Sequence, residues 1–171
     1  MAGEMPHLPL LDRREIEARI VGPLIHAVRA ELGDEKALAL LRGVIVDLAR
    51  AAGADLAREL GEPTLEAFAS SLGRWQEGGA LEIDLIEQSA DRLSFNVTRC
   101  RYAEMYRALG LADLGGSLSC QRDFALIEGF NPAVKLTRTR TIMEGAPFCD
   151  FRFRGPGPAR DDAPDGTPAA D

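Results

Sequence analysis

The chain has 171 residues, 46% of them hydrophobic and 27% charged, with a net charge of −7. That length and balance describe one domain with its own core. The negative charge argues against a surface built to neutralise nucleic-acid phosphates, and no apolar run reaches the roughly 18–20 residues of a membrane span. The amino-terminal MAGEMPHLPLLDRRE lacks the basic flank and long apolar core of a secretion signal, so the expected compartment is the cytoplasm.

The first half carries helical periodicity. Ile16, Ile20, Leu24 and Ala27 recur as one apolar stripe, within which Pro23 is expected to kink or interrupt the helix. Asp34 is placed to cap a second helix with Leu38, Leu41, Ile45, Leu48 and Ala52 along one side and Gly53 as its stop. A short piece, ADLARELG, follows. Thr64 then caps a helix with Leu65, Phe68, Leu72 and Trp75 on one face, ended by the glycines at 78 and 79.

The second half changes period. ALEIDLIE (80–87) and RLSFNVTRC (92–100) alternate apolar and polar residues, as half-buried strands do, with a short turn at QSAD between them. RYAEMYRAL (101–109) returns to helical spacing, and Asp113 caps a further helix reaching to about Ile127. GFNP is loop chemistry, after which residues 134–143 and 148–154 read as a second hairpin. The predicted fold is α+β: N-terminal helices packed on one face of a four-stranded, mostly antiparallel sheet, with two helices inserted between the two hairpins. Glu82, Asp84, Arg138, Arg140, Asp150 and Arg152 are expected on the other face, wet or covered by a partner. One domain spans 1–154. Residues 155–171 hold four Pro, three Gly and four Asp with no large apolar side chain, and read as a disordered acidic tail.

The usual nucleotide, phosphate and zinc-protease signatures are missing. Of two histidines, His7 lies in the amino-terminal stretch and His26 on the shoulder of a helix stripe, so a histidine relay has little support. Three cysteines, with no CxxC pair, argue against both a zinc site and a disulfide framework. The remaining chemistry is thiol and carboxylate. Cys100 stands between a strand and a helix; as an N-cap it would have its thiolate stabilised by the helix dipole, and otherwise it is a buried junction residue. Cys120 shares a helix face with Asp123 and Phe124. A neighbouring carboxylate raises a thiol pKa, or takes a proton, or holds a cationic ligand. Cys149 alternates with Phe151 and Phe153, so Asp150 must face the other way. If the register places Thr137, Thr139 and Thr141 beside Cys149, their hydroxyls make a pocket wall; the alternative is ordinary threonine on an exposed strand.

Five pieces in order, RCRYAEMY, CQRDF, GFNP, LTRTRTIMEG and CDFRF, resemble the L-2-amino-thiazoline-4-carboxylic acid hydrolase family over the C-terminal third. The resemblance implies hydrolytic opening of a cyclic 2-aminothiazoline to an N-carbamoyl cysteine, with no metal or organic cofactor. It carries Cys100, Cys120, Asp123, Asn131 and Cys149 as motif positions. In the expected reaction Asp123 holds the protonated ring or deprotonates water, or a thiolate adds first. Asn131, Thr139 and Thr141 orient the tetrahedral centre, and Arg101 binds the substrate carboxylate. The expected partners are a small-molecule substrate and a further copy of the chain. The alternative function is a non-catalytic binding or regulatory domain that keeps the same pocket.

Overall fold

A computed structural model of the chain describes residues 7–156, and the proposed tail beyond 156 lies outside them. Seven helices are present among the described residues: α1 (Leu10–Leu32), α2 (Asp34–Leu60), α3 (Leu65–Ser70), α4 (Gly73–Gln76), α5 (Arg101–Ala108), α6 (Ala112–Gly115) and α7 (Arg122–Phe130). Four strands, β1 (Leu81–Gln88), β2 (Arg92–Cys100), β3 (Lys135–Thr137) and β4 (Cys149–Arg154), form one antiparallel sheet in the order β1-β2-β4-β3. Helices cover one face of it, and α5 to α7 lie between the two strand pairs, as the α+β reading expects.

The core is built by the alternation of β2 and β4. Their register sets Leu93 opposite Phe153, Phe95 opposite Phe151 and Val97 opposite Cys149, all buried. Phe95 and Phe151 stack at 4.9 Å, and Phe68 of α3 lies within 5.6 Å of the rings of Trp75, Phe130 and Phe153. Such aromatic pairs contribute about 0.5–1.5 kcal/mol each beyond their buried area. Thr64 caps α3 as expected, accepting the Ala67 N–H at 3.1 Å.

Four expectations are corrected. The α1 stripe of Ile16, Ile20 and Leu24 is exposed; the buried side is Leu11, Ala18, Gly22 and Ile25. Small residues let α1 approach its neighbour, and a Cβ on Gly22 would sit 2.8 Å from Leu111. Pro23 lies inside α1 without ending it. Gly53 does not stop α2, which absorbs ADLARELG and ends before Gly61, while Asp34 enters its first turn and the cap is Gly33. Gly53 serves contact instead: a Cβ there would lie 2.0 Å from the Leu126 carbonyl oxygen, and one on Gly129 2.0 Å from that of Arg50. The two glycines let α2 and α7 meet backbone to backbone.

The fourth correction concerns the second hairpin. β3 is only three residues long, and residues 138–148 leave the ladder. Asp150 is the cause. Its carboxylate accepts the N–H groups of Thr139 and Arg140, each at 2.9 Å, and the Thr139 hydroxyl at 2.6 Å. The backbone amides are thereby taken up by a side chain rather than by strand pairing. The chain then turns over a short 3-10 segment, Ile142–Glu144, capped by Thr141. The register of β3 also reverses the expected phase: Leu136 pairs with the buried Phe153 and Thr137 with Arg152. Arg138, two residues after Leu136, therefore falls on the inner side rather than the charged outer face, and Thr137 does not stand beside Cys149.

Candidate functional site

The three cysteines come from three separate elements and line one cavity of about 90 Å³. Cys100 ends β2 and caps α5, its Sγ accepting the Ala103 N–H at 3.4 Å. Cys149 begins β4, and its Sγ accepts the Ile142 N–H at 3.2 Å. Cys120 closes a π-helical turn, Gly116–Cys120, between α6 and α7. A π turn inserts one extra residue, and such insertions recur at functional sites. Asp123 follows in the first turn of α7 and lines the same space. Leu81, Val97, Leu126, Phe151 and Trp75 supply apolar walls. A mostly apolar cavity with a few converging polar groups is what a small-molecule site requires.

Arg138 organises the polar side. It is paired with Asp123 and donates to the Cys120 carbonyl at 2.9 Å. Its guanidinium lies 5.0 Å from the ring centres of both Phe124 and Phe151, and its side chain is 6% exposed. Two further arginines line the cavity. Arg14 and Arg122 both reach Glu17, at 2.8 and 3.0 Å, and Arg122 also donates to the Leu118 carbonyl at 2.7 Å. Three guanidinium groups thus share two carboxylates, and one positive charge is left without a protein counter-charge in this group. The Tyr102 hydroxyl is buried against the same cavity and has no hydrogen-bond partner, which is uncommon for a residue only 7% exposed.

Burial dominates the protonation of every acid here. It pushes the Cys100 thiol up to about 11, in spite of the Ala103 amide at its sulfur. It raises Cys149 as well, against the Ile142 amide, and raises Cys120 furthest, with Asp123 adding repulsion. Cys100 does hold the helix-cap position, but burial outweighs the help that the cap gives its thiolate. Burial also raises the Asp123 carboxyl, with Arg138 pulling in the opposite direction.

The other candidate residues lie elsewhere. Arg101 donates to the Gly78 carbonyl at 2.8 Å. Asn131 holds the loop after α7, donating to Pro63 O at 2.7 Å and accepting from Ala133 N at 2.9 Å. Thr139 serves Asp150, and Thr141 caps the 3-10 turn, so neither lines this cavity. His7 contacts Glu77 at 2.8 Å, and His26 borders a separate surface cleft near Arg19 and Pro23. Arg14, Arg122, Arg138 and Tyr102 were not read from the sequence as site residues. Arg122 stood beside Asp123 in CQRDF, Tyr102 two residues after Cys100 in RCRY and Arg138 within LTRTRTIMEG, whereas Arg14 had no local signal.

Among the described residues, no group of three or more His, Cys, Asp or Glu side chains is arranged to hold a metal ion. No helix among them is long and apolar enough to cross a membrane.

No curated protein sequence matches the chain. Two solved structures are similar in outline. One is a trafficking protein particle complex subunit 3 from Naegleria fowleri covalently bound to palmitic acid (TM-score 0.49, 12% identity, 83% of this chain and 94% of that one). The other is the phenol-responsive sensory domain of the transcription activator PoxR with phenol (TM-score 0.48, 14% identity, 90% of this chain and 78% of that one). A family model matches residues 13–153, from the start of α1 through the core of β4, so the motif resemblance extends over nearly the whole described fold and the chain belongs to the L-2-amino-thiazoline-4-carboxylic acid hydrolase family.

Proposed function

We propose that the cavity binds a small cyclic amidine carrying a carboxylate, of the 2-aminothiazoline-4-carboxylate type, and adds water to it. The observation that carries this reading is the charge balance of the site. Three arginines share two carboxylates beside an apolar wall, which suits a ligand with one anionic end. The substrate carboxylate sits with Arg14 and Arg122, whose single acid is shared. Its protonated amidine faces Asp123.

The chemistry follows from which groups are charged. The thiols are neutral, so water rather than a thiolate attacks C2 of the ring. Asp123, its basicity raised by burial, accepts the proton from that water. The oxygen added to C2 accepts a hydrogen bond from the Tyr102 hydroxyl, which has no other partner. The C2–S bond then breaks, the sulfur takes the proton held by Asp123, and the C2 hydroxyl gives its proton to solvent as the carbamoyl C=O forms. The product is an N-carbamoyl cysteine equal to the neutral substrate plus one water. Cys100, Cys120 and Cys149 contribute a polarisable wall against the ring sulfur. All three are free thiols, which suits a reducing compartment such as the cytoplasm.

The test is direct. The full chain is incubated with L-2-amino-thiazoline-4-carboxylate and N-carbamoyl cysteine is followed by mass spectrometry. Wild type forms it. Asp123→Asn loses about 10²–10⁴-fold, the usual worth of a general base. The neutral thiols also favour a second reading, a domain that binds such a ligand without turnover. Calorimetric binding with no product in wild type would select it.

A further inference from the structure

The α1–α2 pair leaves a large apolar surface uncovered, and the groove within it adjoins the cavity at Arg122, which lines both. On α1, Ile16, Ile20 and Leu24 are 51%, 66% and 61% exposed; on α2, Leu40, Val44 and Leu48 are 58%, 59% and 56% exposed. Both sets repeat at i, i+4 and i+8, so each is a straight ridge about 12 Å long. Between the helices runs a groove of about 390 Å³, walled by Val21, Leu24 and Val28 on one side and Leu40, Val44 and Leu48 on the other.

We infer that this face is the interface of a homodimer. The protein carries both halves of the fit on one surface: an apolar ridge on α1 and, sharing Leu24 as its wall, an apolar groove between α1 and α2. A two-fold axis places the ridge of one copy in the groove of the other and the reverse, as an isologous contact requires. The six side chains expose on the order of 600 Å² of apolar surface, close to the roughly 800 Å² per partner of a standard interface. That stands at the upper end of the largest apolar patch a monomer ordinarily leaves.

Charge does not oppose the contact. α1 carries four acidic and four basic residues and α2 five and four, so nearly all of the −7 lies outside the pair. The stretches outside the described residues offer little apolar side chain. Residues 157–171 contain no Leu, Ile, Val, Met or aromatic residue, and residues 1–6 contribute only two methionines as large apolar side chains.

Sedimentation velocity of the full chain from about 1 to 100 µM, at and above the µM-to-pM dissociation constants of standard-sized interfaces, tests the inference. Wild type reaches twice its 18.5 kDa. Ile20→Glu and Val44→Glu, each at an exposed position, run at the monomer mass with the helical circular dichroism of wild type. Ile20→Asn and Val44→Asn serve in their place should a glutamate unfold the helices. A wild type that stays at 18.5 kDa throughout, or a dimer that survives both folded variants, overturns the inference.

Discussion

Arg138→Met probes the site and its stability together. The variant keeps an unbranched apolar stem between Phe124 and Phe151 but removes the guanidinium from Asp123 and from the Cys120 carbonyl. Breaking one side of a buried ion pair costs about 3–5 kcal/mol, chiefly because the other charge is stranded. Asp123 retains 24% exposure, so the lower figure of about 3 kcal/mol is expected at pH 7. That corresponds to a fall in Tm on the order of 10 °C. The loss must depend on pH. Arg138 pulls the Asp123 carboxyl down, and without it the folded pKa rises further above the unfolded value. An acid raised in the folded state binds more protons folded than unfolded, so its contribution to stability falls as pH rises. The deficit of the variant relative to wild type is therefore larger at pH 7.5 than at pH 5. Asp123→Asn added to Arg138→Met removes the stranded charge and recovers at least about 1 kcal/mol. Urea unfolding followed by Trp75 fluorescence at both pH values measures all of this. A pH-independent deficit, or effects of the two substitutions that simply add, would refute the reasoning.

Gly53→Ala drives a Cβ into the Leu126 carbonyl and is expected to cost about 2–3 kcal/mol by overpacking, although alanine is the better helix former by nearly 1; a Tm equal to wild type would contradict the backbone contact of α2 and α7. With its pKa near 11, roughly one Cys100 thiol in three thousand is ionised at pH 7.5. Iodoacetamide should therefore label the folded protein slowly there and about tenfold faster per pH unit up to pH 10, whereas rapid labelling at pH 7 would restore a thiolate nucleophile. Tyr102→Phe removes a hydroxyl that lacks a partner, so stability is unchanged or higher while affinity for the aminothiazoline falls about 10-fold; a drop in stability instead would show an internal partner for the hydroxyl.

The strand alternation of β1 and β2, the Thr64 cap and the Cys100 cap were legible because each is a local pattern with a local partner. Asp123 beside Cys120 was legible for the same reason, three residues apart on helical turns. Periodicity found the stripe of Ile16, Ile20 and Leu24, but periodicity cannot say which stripe is covered; Ala18 and Gly22, too small to stand out, form the buried side. Gly53 looks the same in sequence whether it ends a helix or lets another helix approach. Arg138 was placed outside because the strand was given the opposite phase; its register, Leu136 on Phe153 and Thr137 on Arg152, is set by the partner strand and not by the local pattern. The cavity brings together residues from α1, β2, α7 and β4, and no short window of sequence contains that meeting.

The central claim is that water, delivered by Asp123 in this cavity, opens the ring without a bond to any cysteine. Turnover of L-2-amino-thiazoline-4-carboxylate in H₂¹⁸O, with product and intact protein weighed by mass spectrometry at successive times, tests it most directly. The account predicts N-carbamoyl cysteine carrying one ¹⁸O in its carbamoyl group and a protein mass that never changes. An adduct on Cys100, Cys120 or Cys149 that forms and decays with turnover, or binding that yields no product, would contradict it.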